Sequence, residues 1–173
     1  MLLVNITFAV FFIIRLFSLS ISVRNEKALI RKGAIQYGAK NSKLLAIAHV
    51  LFYFSAIFEA NYLKHYWDKI SLLGAIVMFF AYLALFWVIK ELKQIWTVKL
   101  YILPTHQINT SILFRTIRHP NYFLNIIPEL LGLALLCHSW YTLFALFPIY
   151  LMVLSVRIYQ EERAMKPLFA ATR

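Results

Sequence analysis

LLGLALLCHSWYTLFALFPI, residues 130 to 149, decides the fold. Two apolar runs are parted only by Cys-His-Ser-Trp at 137–140, a tetrapeptide without Lys, Arg, Asp or Glu. Apolar runs this close and this free of charge read as two membrane-crossing helices joined in a tight hairpin, over roughly 122–137 and 140–157. A spanning helix needs about 20 mostly apolar residues, and upstream the stretches near 2–22, 44–62 and 70–89 meet that requirement. With 62% hydrophobic residues and a mean hydropathy of +0.71 over 173 residues, too little polar surface exists for a water-soluble domain. The expectation is an all-α polytopic membrane protein with about five transmembrane helices, folded as one domain over 1–173.

The formal charge of +11 alone would admit a nucleic-acid partner. The placement of the charges argues against one. Six basic residues lie between Arg24 and Lys43, five between Lys90 and Arg118, and four from Arg157 onward, whereas the 63–69 loop has two and the 137–140 tip none. Alternation of this kind is the positive-inside pattern. It predicts that the N-terminus, the 63–69 loop and the hairpin tip face out, while the basic loops and the C-terminus face the cytosol. The apolar N-terminus lacks a basic leader and a small-residue cleavage site, so it reads as an uncleaved first span. The lone Cys137 excludes an intrachain disulfide, and five scattered histidines give no metal-binding pattern. No phosphate-binding glycine loop or dinucleotide fingerprint is present.

Polar residues inside the spans need separate reasons, because charge at membrane depth is costly. Arg15, two-thirds along the first span, is read as reaching toward headgroups. His49 is read as a packed core residue and Glu59 as interfacial. RTIRHPNYFLNIIPEL, 115–130, is the strongest anomaly. Tyr122, Asn125 and Glu129 follow helical spacing and are expected on one face. Pro128 should free the carbonyl of Leu124 and kink the span. RIYQEER, 157–163, closes the last span, where Arg157 and Glu161 are one turn apart and could pair. Because the hairpin returns the chain, Arg118, His119, Tyr122, Arg157, Glu161 and Glu162 should meet at one cytosolic mouth. Arginines for a carboxylate, glutamates for an ammonium or diol, and aromatics for a base or sulfonium would suit a zwitterionic, hydroxyl-bearing cofactor.

At these residues the chain resembles the isoprenylcysteine carboxyl methyltransferase family, through RHPNY at 118–122 and RIYQEE at 157–162 flanking one hairpin. RNEK at 24–27, GAIQYG at 33–38, His49, Glu59 and WTVKLYILP at 96–104 resemble its bacterial branch of alkylpyrone O-methyltransferases. Where the family has Gly-Pro-Tyr, this chain has Ile112, Leu113 and Phe114. The resemblance implies an S-adenosylmethionine-dependent O-methyltransferase in the bacterial inner membrane, acting on a lipophilic acceptor such as an alkylpyrone-type polyketide. It implies cofactor contacts from Arg118, His119, Tyr122, Arg157, Glu161 and Glu162, with Arg157 or Arg118 on the carboxylate and Glu161 or Glu162 on the ammonium or hydroxyls. Arg118, His119 and Glu129 are the implied catalytic residues, and Asn125, Glu129 and Trp96 the implied acceptor contacts. An acceptor already anionic needs no general base, whereas a phospholipid amine or phenol would need Glu129 or His119. A phospholipid N-methyltransferase and a non-catalytic membrane protein stay as alternatives. The first predicts methylated ethanolamine headgroups, and the second predicts no cofactor binding.

Overall fold

The structure is a computed structural model that describes residues 1–103 and 116–171. Helix α1 spans Leu2–Arg31, α2 Ala39–Tyr62 and α3 Lys69–Leu92. A π-helical turn, Asn121–Ile126, runs into α4, Ile127–Cys137, and α5 spans Trp140–Ala171. Leu2–Arg31, Ala39–Tyr62, Lys69–Ile95 and Trp140–Lys166 are long and apolar enough to cross a membrane, while Asn121–Cys137 is a shorter apolar helix. The protein is an integral membrane protein of helical class. Large apolar side chains such as Ile13, Phe58, Phe80, Phe144 and Met152 point outward. Helices that are apolar all round suit a lipid surround, where the outer face has no water to meet.

The helices at both ends of the chain outrun the sequence expectation. α1 continues past residue 22 to Arg31, and α5 continues past 157 to Ala171. Charged residues at these ends leave the apolar zone without breaking helical propensity, so hydropathy underestimates them. The break expected between the first two spans occurs where glycines permit it, with Gly33 at φ +80° and Gly38 at φ +58°. Between them lies β1, Ile35–Tyr37, which pairs antiparallel with β2, Leu100–Ile102, in the register Gln36 to Tyr101. No strand was expected in these two loops. Three residues per strand carry too little periodicity to be seen in sequence.

Two features join the layers. At Gly74 in α3 a Cβ would stand 2.3 Å from the backbone N of Leu136 and 2.5 Å from the carbonyl of Gly132. At Gly132 in α4 a Cβ would meet the Gly74 carbonyl at 2.9 Å. The two backbones therefore touch, the close approach small residues allow between membrane helices. Glu59 sits at the tip end of the bundle, as expected, but is buried there: its carboxylate accepts from the backbone N–H groups of Tyr141 (3.0 Å) and Thr142 (2.8 Å) and from the Thr142 hydroxyl (2.7 Å). The carboxylate caps α5 from a neighbouring helix, satisfying first-turn donors that nothing else in the helix can reach.

Candidate functional site

Arg157 is the anchor of the loop-rich end. The helix α5 carries it into the bundle, where it is 3% exposed. Its Nη1 donates to Ser42 Oγ of α2 at 2.6 Å, its Nη2 to the Val98 carbonyl at 3.1 Å, and its Nε to Tyr122 Oη at 3.2 Å. A buried guanidinium without such acceptors would cost several kcal/mol. The 93–98 segment is itself fixed by α1: Asn25 Nδ2 donates to the carbonyls of Lys93 (3.0 Å) and Trp96 (2.9 Å), and the Val98 N–H donates to Ser22 Oγ at 2.8 Å. The pairing of Arg157 with Glu161 that helix spacing allows gives way to these three contacts.

Tyr122, held by Arg157, donates its hydroxyl proton to Glu161 Oε2. Glu161 Oε1 lies 3.4 Å from His119 Nδ1, and Glu162 Oε1 lies 3.3 Å from His119 Nε2. The rings of His119 and Tyr122 stack with centroids 5.7 Å apart and planes 20° apart. Arg118 reaches Glu162 at 4.0 Å and keeps 88% of its side chain exposed. The hydrogen bond to Glu161, joined by the charges of both glutamates, raises the His119 pKa despite partial burial. All six residues expected at the mouth thus meet there, two supplied by the loop before the π turn, one by the turn itself and three by α5.

The scaffold around the mouth draws on the 24–27, 33–38 and 96–104 stretches, whose mutual contacts were not legible in sequence. Glu26 of α1 accepts from Lys99 Nζ at 2.6 Å and from Tyr101 Oη at 2.9 Å, and Tyr101 also donates to Gln36 Oε1 at 3.2 Å. Burial first, and the Glu26 carboxylate second, push the Tyr101 phenol up to about 12. Ser22 and Ser42 are ordinary polar residues in sequence, marked only by their partners, whereas Asn25 and Glu26 lie in the RNEK stretch that the resemblance singles out without a role. Trp96 is buried two positions from Val98, and its indole Nε1 has no hydrogen-bond partner. The family's Gly-Pro-Tyr positions, Ile112–Phe114 here, and Arg115 lie outside the described residues.

Asn125 and Glu129 continue from Tyr122 toward the middle of the bundle. Ile127 donates its N–H to the Tyr122 carbonyl, five residues back, which makes the turn π rather than simply kinked. Pro128, at the second position of α4, has no N–H with which to restore the α register at Leu124. Asn125 is fully buried, with Nδ2 3.4 Å from Asn121 Oδ1 and its own Oδ1 unpartnered. Glu129 belongs to a second cluster. Tyr53 and Tyr82 (3.0 Å) donate to its Oε1, His49 Nε2 lies 3.6 Å from the same oxygen, and Arg15 Nη1 lies 3.4 Å from Oε2. Arg15 therefore turns inward to a carboxylate instead of outward to headgroups, and among the described residues it is the nearest Lys or Arg to the buried Glu129 charge. His49, expected as a packed hydrogen-bonded residue, is that, with Nδ1 3.2 Å from Tyr150 Oη.

The geometry has two polar layers, one at the loop-rich end and one roughly 10 Å deeper, given seven residues between Tyr122 and Glu129 at helical rise. The isoprenylcysteine carboxyl methyltransferase (ICMT) family model matches residues 73–167, which span α3, the π turn, α4 and most of α5. The chain belongs to that family. The family is one of membrane methyltransferases, and the matched region contains the whole mouth from Arg118 to Glu162. An uncharacterized protein of Haemophilus influenzae (strain ATCC 51907 / DSM 11121 / KW20 / Rd) is 62% identical over 169 residues, covering 98% of each chain. The uncharacterized protein YpbQ of Bacillus subtilis (strain 168) is 26% identical over 159 residues, covering 91% of this chain and 94% of the other. No solved structure matches the chain.

Proposed function

We propose that the protein is an S-adenosylmethionine-dependent O-methyltransferase that modifies a lipophilic acceptor dissolved in the membrane, with an alkylpyrone-type polyketide as the favoured acceptor. The convergence of Arg118, His119, Tyr122, Glu161 and Glu162 at one end of the α4–α5 hairpin carries this reading. The donor and acceptor set fits the cofactor. Glu162, half exposed, offers a carboxylate to an ammonium or a ribose diol, and exposed Arg118 offers a fork to a carboxylate. The stacked His119 and Tyr122 rings give a π face for a sulfonium. Arg157, whose donors are engaged with protein, positions Tyr122 and the 96–98 segment instead of reaching out. When bound, the cofactor supplies an electrophilic methyl group.

What remains for the chain is alignment and exclusion of water, because an in-line displacement gains most from orientation. The buried Tyr122–Arg157–Ser42 contacts hold the mouth rigid. By the positive-inside argument the mouth faces the cytosol of the bacterial inner membrane, where soluble cofactor is supplied. Calorimetry on detergent-purified protein should show S-adenosylmethionine binding that His119→Ala and Glu162→Ala abolish or weaken. No heat at millimolar cofactor would overturn the reading. Lipid extracts of an expressing strain should gain a methyl ether on a lipophilic acceptor; methylated ethanolamine headgroups would mean phospholipid N-methylation instead.

A further inference from the structure

Helix α1 is longer than the hydrocarbon core of a bilayer. Its 30 residues, Leu2–Arg31, measure about 45 Å at helical rise, against a core of about 30 Å. About 20 residues fill that core, so the rest of α1, from about Val23 on, crosses the headgroup layer still helical. A span ending near residue 22 would leave the cations beyond it on a loop. The structure sets them on a rigid rod instead.

Along that rod the side chains are sorted by face. Ser18, Ser22, Asn25 and Leu29 turn into the bundle and are buried. Leu16, Leu19, Val23 and Ile30 lie on the other side and are exposed. Arg24, Lys27 and Arg31 follow i, i+3, i+7 spacing on that same outward stripe and are exposed too. Glu26, the acidic residue of this stretch, is turned aside to Lys99 and Tyr101. Among the described residues none of the three cations is paired with a carboxylate. Like charges on adjacent turns repel one another, and an anion laid across them relieves that repulsion.

From this arrangement we infer that the outward stripe of α1 is a docking surface for an anionic phospholipid of the leaflet on the mouth side. The lipid phosphate lies on Arg24, Lys27 and Arg31, and the acyl chains run along Leu16, Leu19 and Val23.

The chemistry of the stripe selects this partner. Guanidinium forks take phosphate oxygens two at a time, and an ammonium adds a point charge. A zwitterionic lipid also brings a cation, for which the stripe holds no carboxylate. An anionic headgroup brings none and is drawn by every cation at the surface. The apolar half of the stripe, one to two turns deeper, takes the chains that a free phosphate lacks. By the positive-inside argument this leaflet is the cytosolic one. The bound lipid also matters to the protein's interior. Past Phe11, Leu29 is the single apolar side chain that α1 buries, so its inner half is held to the bundle mainly by polar contacts. Those contacts run from Ser22, Asn25 and Glu26 to residues 93–101 beside Arg157. A lipid clamped on the outward face keeps this end of α1 helical and pressed on the scaffold of the mouth.

Detergent-purified wild type, mixed with equal amounts of dioleoylphosphatidylglycerol and dioleoylphosphatidylcholine, should retain the first at least about tenfold over the second in native mass spectrometry. Equal retention overturns the proposal. Arg24→Gln/Lys27→Gln/Arg31→Gln puts a good helix former at each position and should retain both lipids alike. Lys40→Gln/Lys43→Gln/Lys90→Gln removes the same charge from exposed positions at the same end and should keep the wild-type preference. A preference lost equally in both triple variants would mean bulk attraction to a basic surface and overturn the site, as would a preference kept in the first. Gel filtration checks each fold. Should the first triple variant aggregate, Arg24→Gln and Arg31→Gln singly must each cut the preference severalfold, and an unchanged preference in either overturns the proposal.

Discussion

His119 carries the charge state of the mouth. Its hydrogen bond to Glu161 raises its pKa above the ordinary histidine value of about 6.5. A raised folded value means that the His119–glutamate contribution to stability is complete below the unfolded pKa and is lost as pH rises through the folded one. The thermal midpoint of the wild type relative to His119→Gln should therefore be highest near pH 6 and the difference should shrink toward about pH 9. A difference that grows with pH would place the proton elsewhere. Tyr122→Phe tests the same layer by geometry. It removes the hydroxyl that donates to Glu161 and accepts from buried Arg157, and should cost about 1–3 kcal/mol of stability by denaturation in detergent. At this scale the sequence shows which residues are anomalous but not whom they meet. RHPNY and RIYQEE were legible because each concentrates several charged or aromatic groups at a helix end. Arg15 was misread, and the capping partner of Glu59 missed, because a single charge in an apolar run has the same appearance whether it reaches to headgroups, pairs in the core or caps another helix.

The elements owe their placement to contacts between backbones as much as to side chains. Glycines 74 and 132 let α3 and α4 touch, and α4 carries both the π turn and Glu129. Gly132→Ala would set a Cβ against the Gly74 carbonyl and Met78, so the helices must part. The expected cost is about 1–3 kcal/mol, the range for overpacking, with Glu129 displaced from Tyr82 as a consequence. Unfolding in mixed micelles measures that cost. Glu59→Gln tests the cap of α5: the neutral amide keeps an oxygen acceptor but loses the charge facing the helix start, so a loss of about 0.5–2 kcal/mol is expected. A neutral or stabilising effect would show that the Tyr141 and Thr142 amides find other acceptors. Apolar length made the helices themselves legible from sequence. The π turn was legible only as a disturbance at Pro128, because its register depends on which carbonyl each N–H selects.

For the whole molecule, the hairpin at 137–140 determined most of the outcome. It forces the 118–122 and 157–162 segments to one end, because so short a connection joins antiparallel neighbours. The two-stranded pairing of 35–37 with 100–102 was not legible, although it ties the two basic loops together at that same end. Orientation is the remaining global property, and the basic residues predict it. Between Arg24 and Lys43 the chain carries six Lys or Arg, whereas the opposite end offers only Lys64 and Lys69. Holding so many cations on the translocated side opposes insertion, so the end bearing β1, β2 and the mouth should be cytosolic. Cys137 is buried in α4, so engineered cysteines can be read against a low background. In intact spheroplasts, a membrane-impermeant maleimide should label Lys64→Cys at once and Lys32→Cys only after the membrane is opened. Labelling in the reverse order would put the mouth on the side without cofactor, and the proposed function would fail with it.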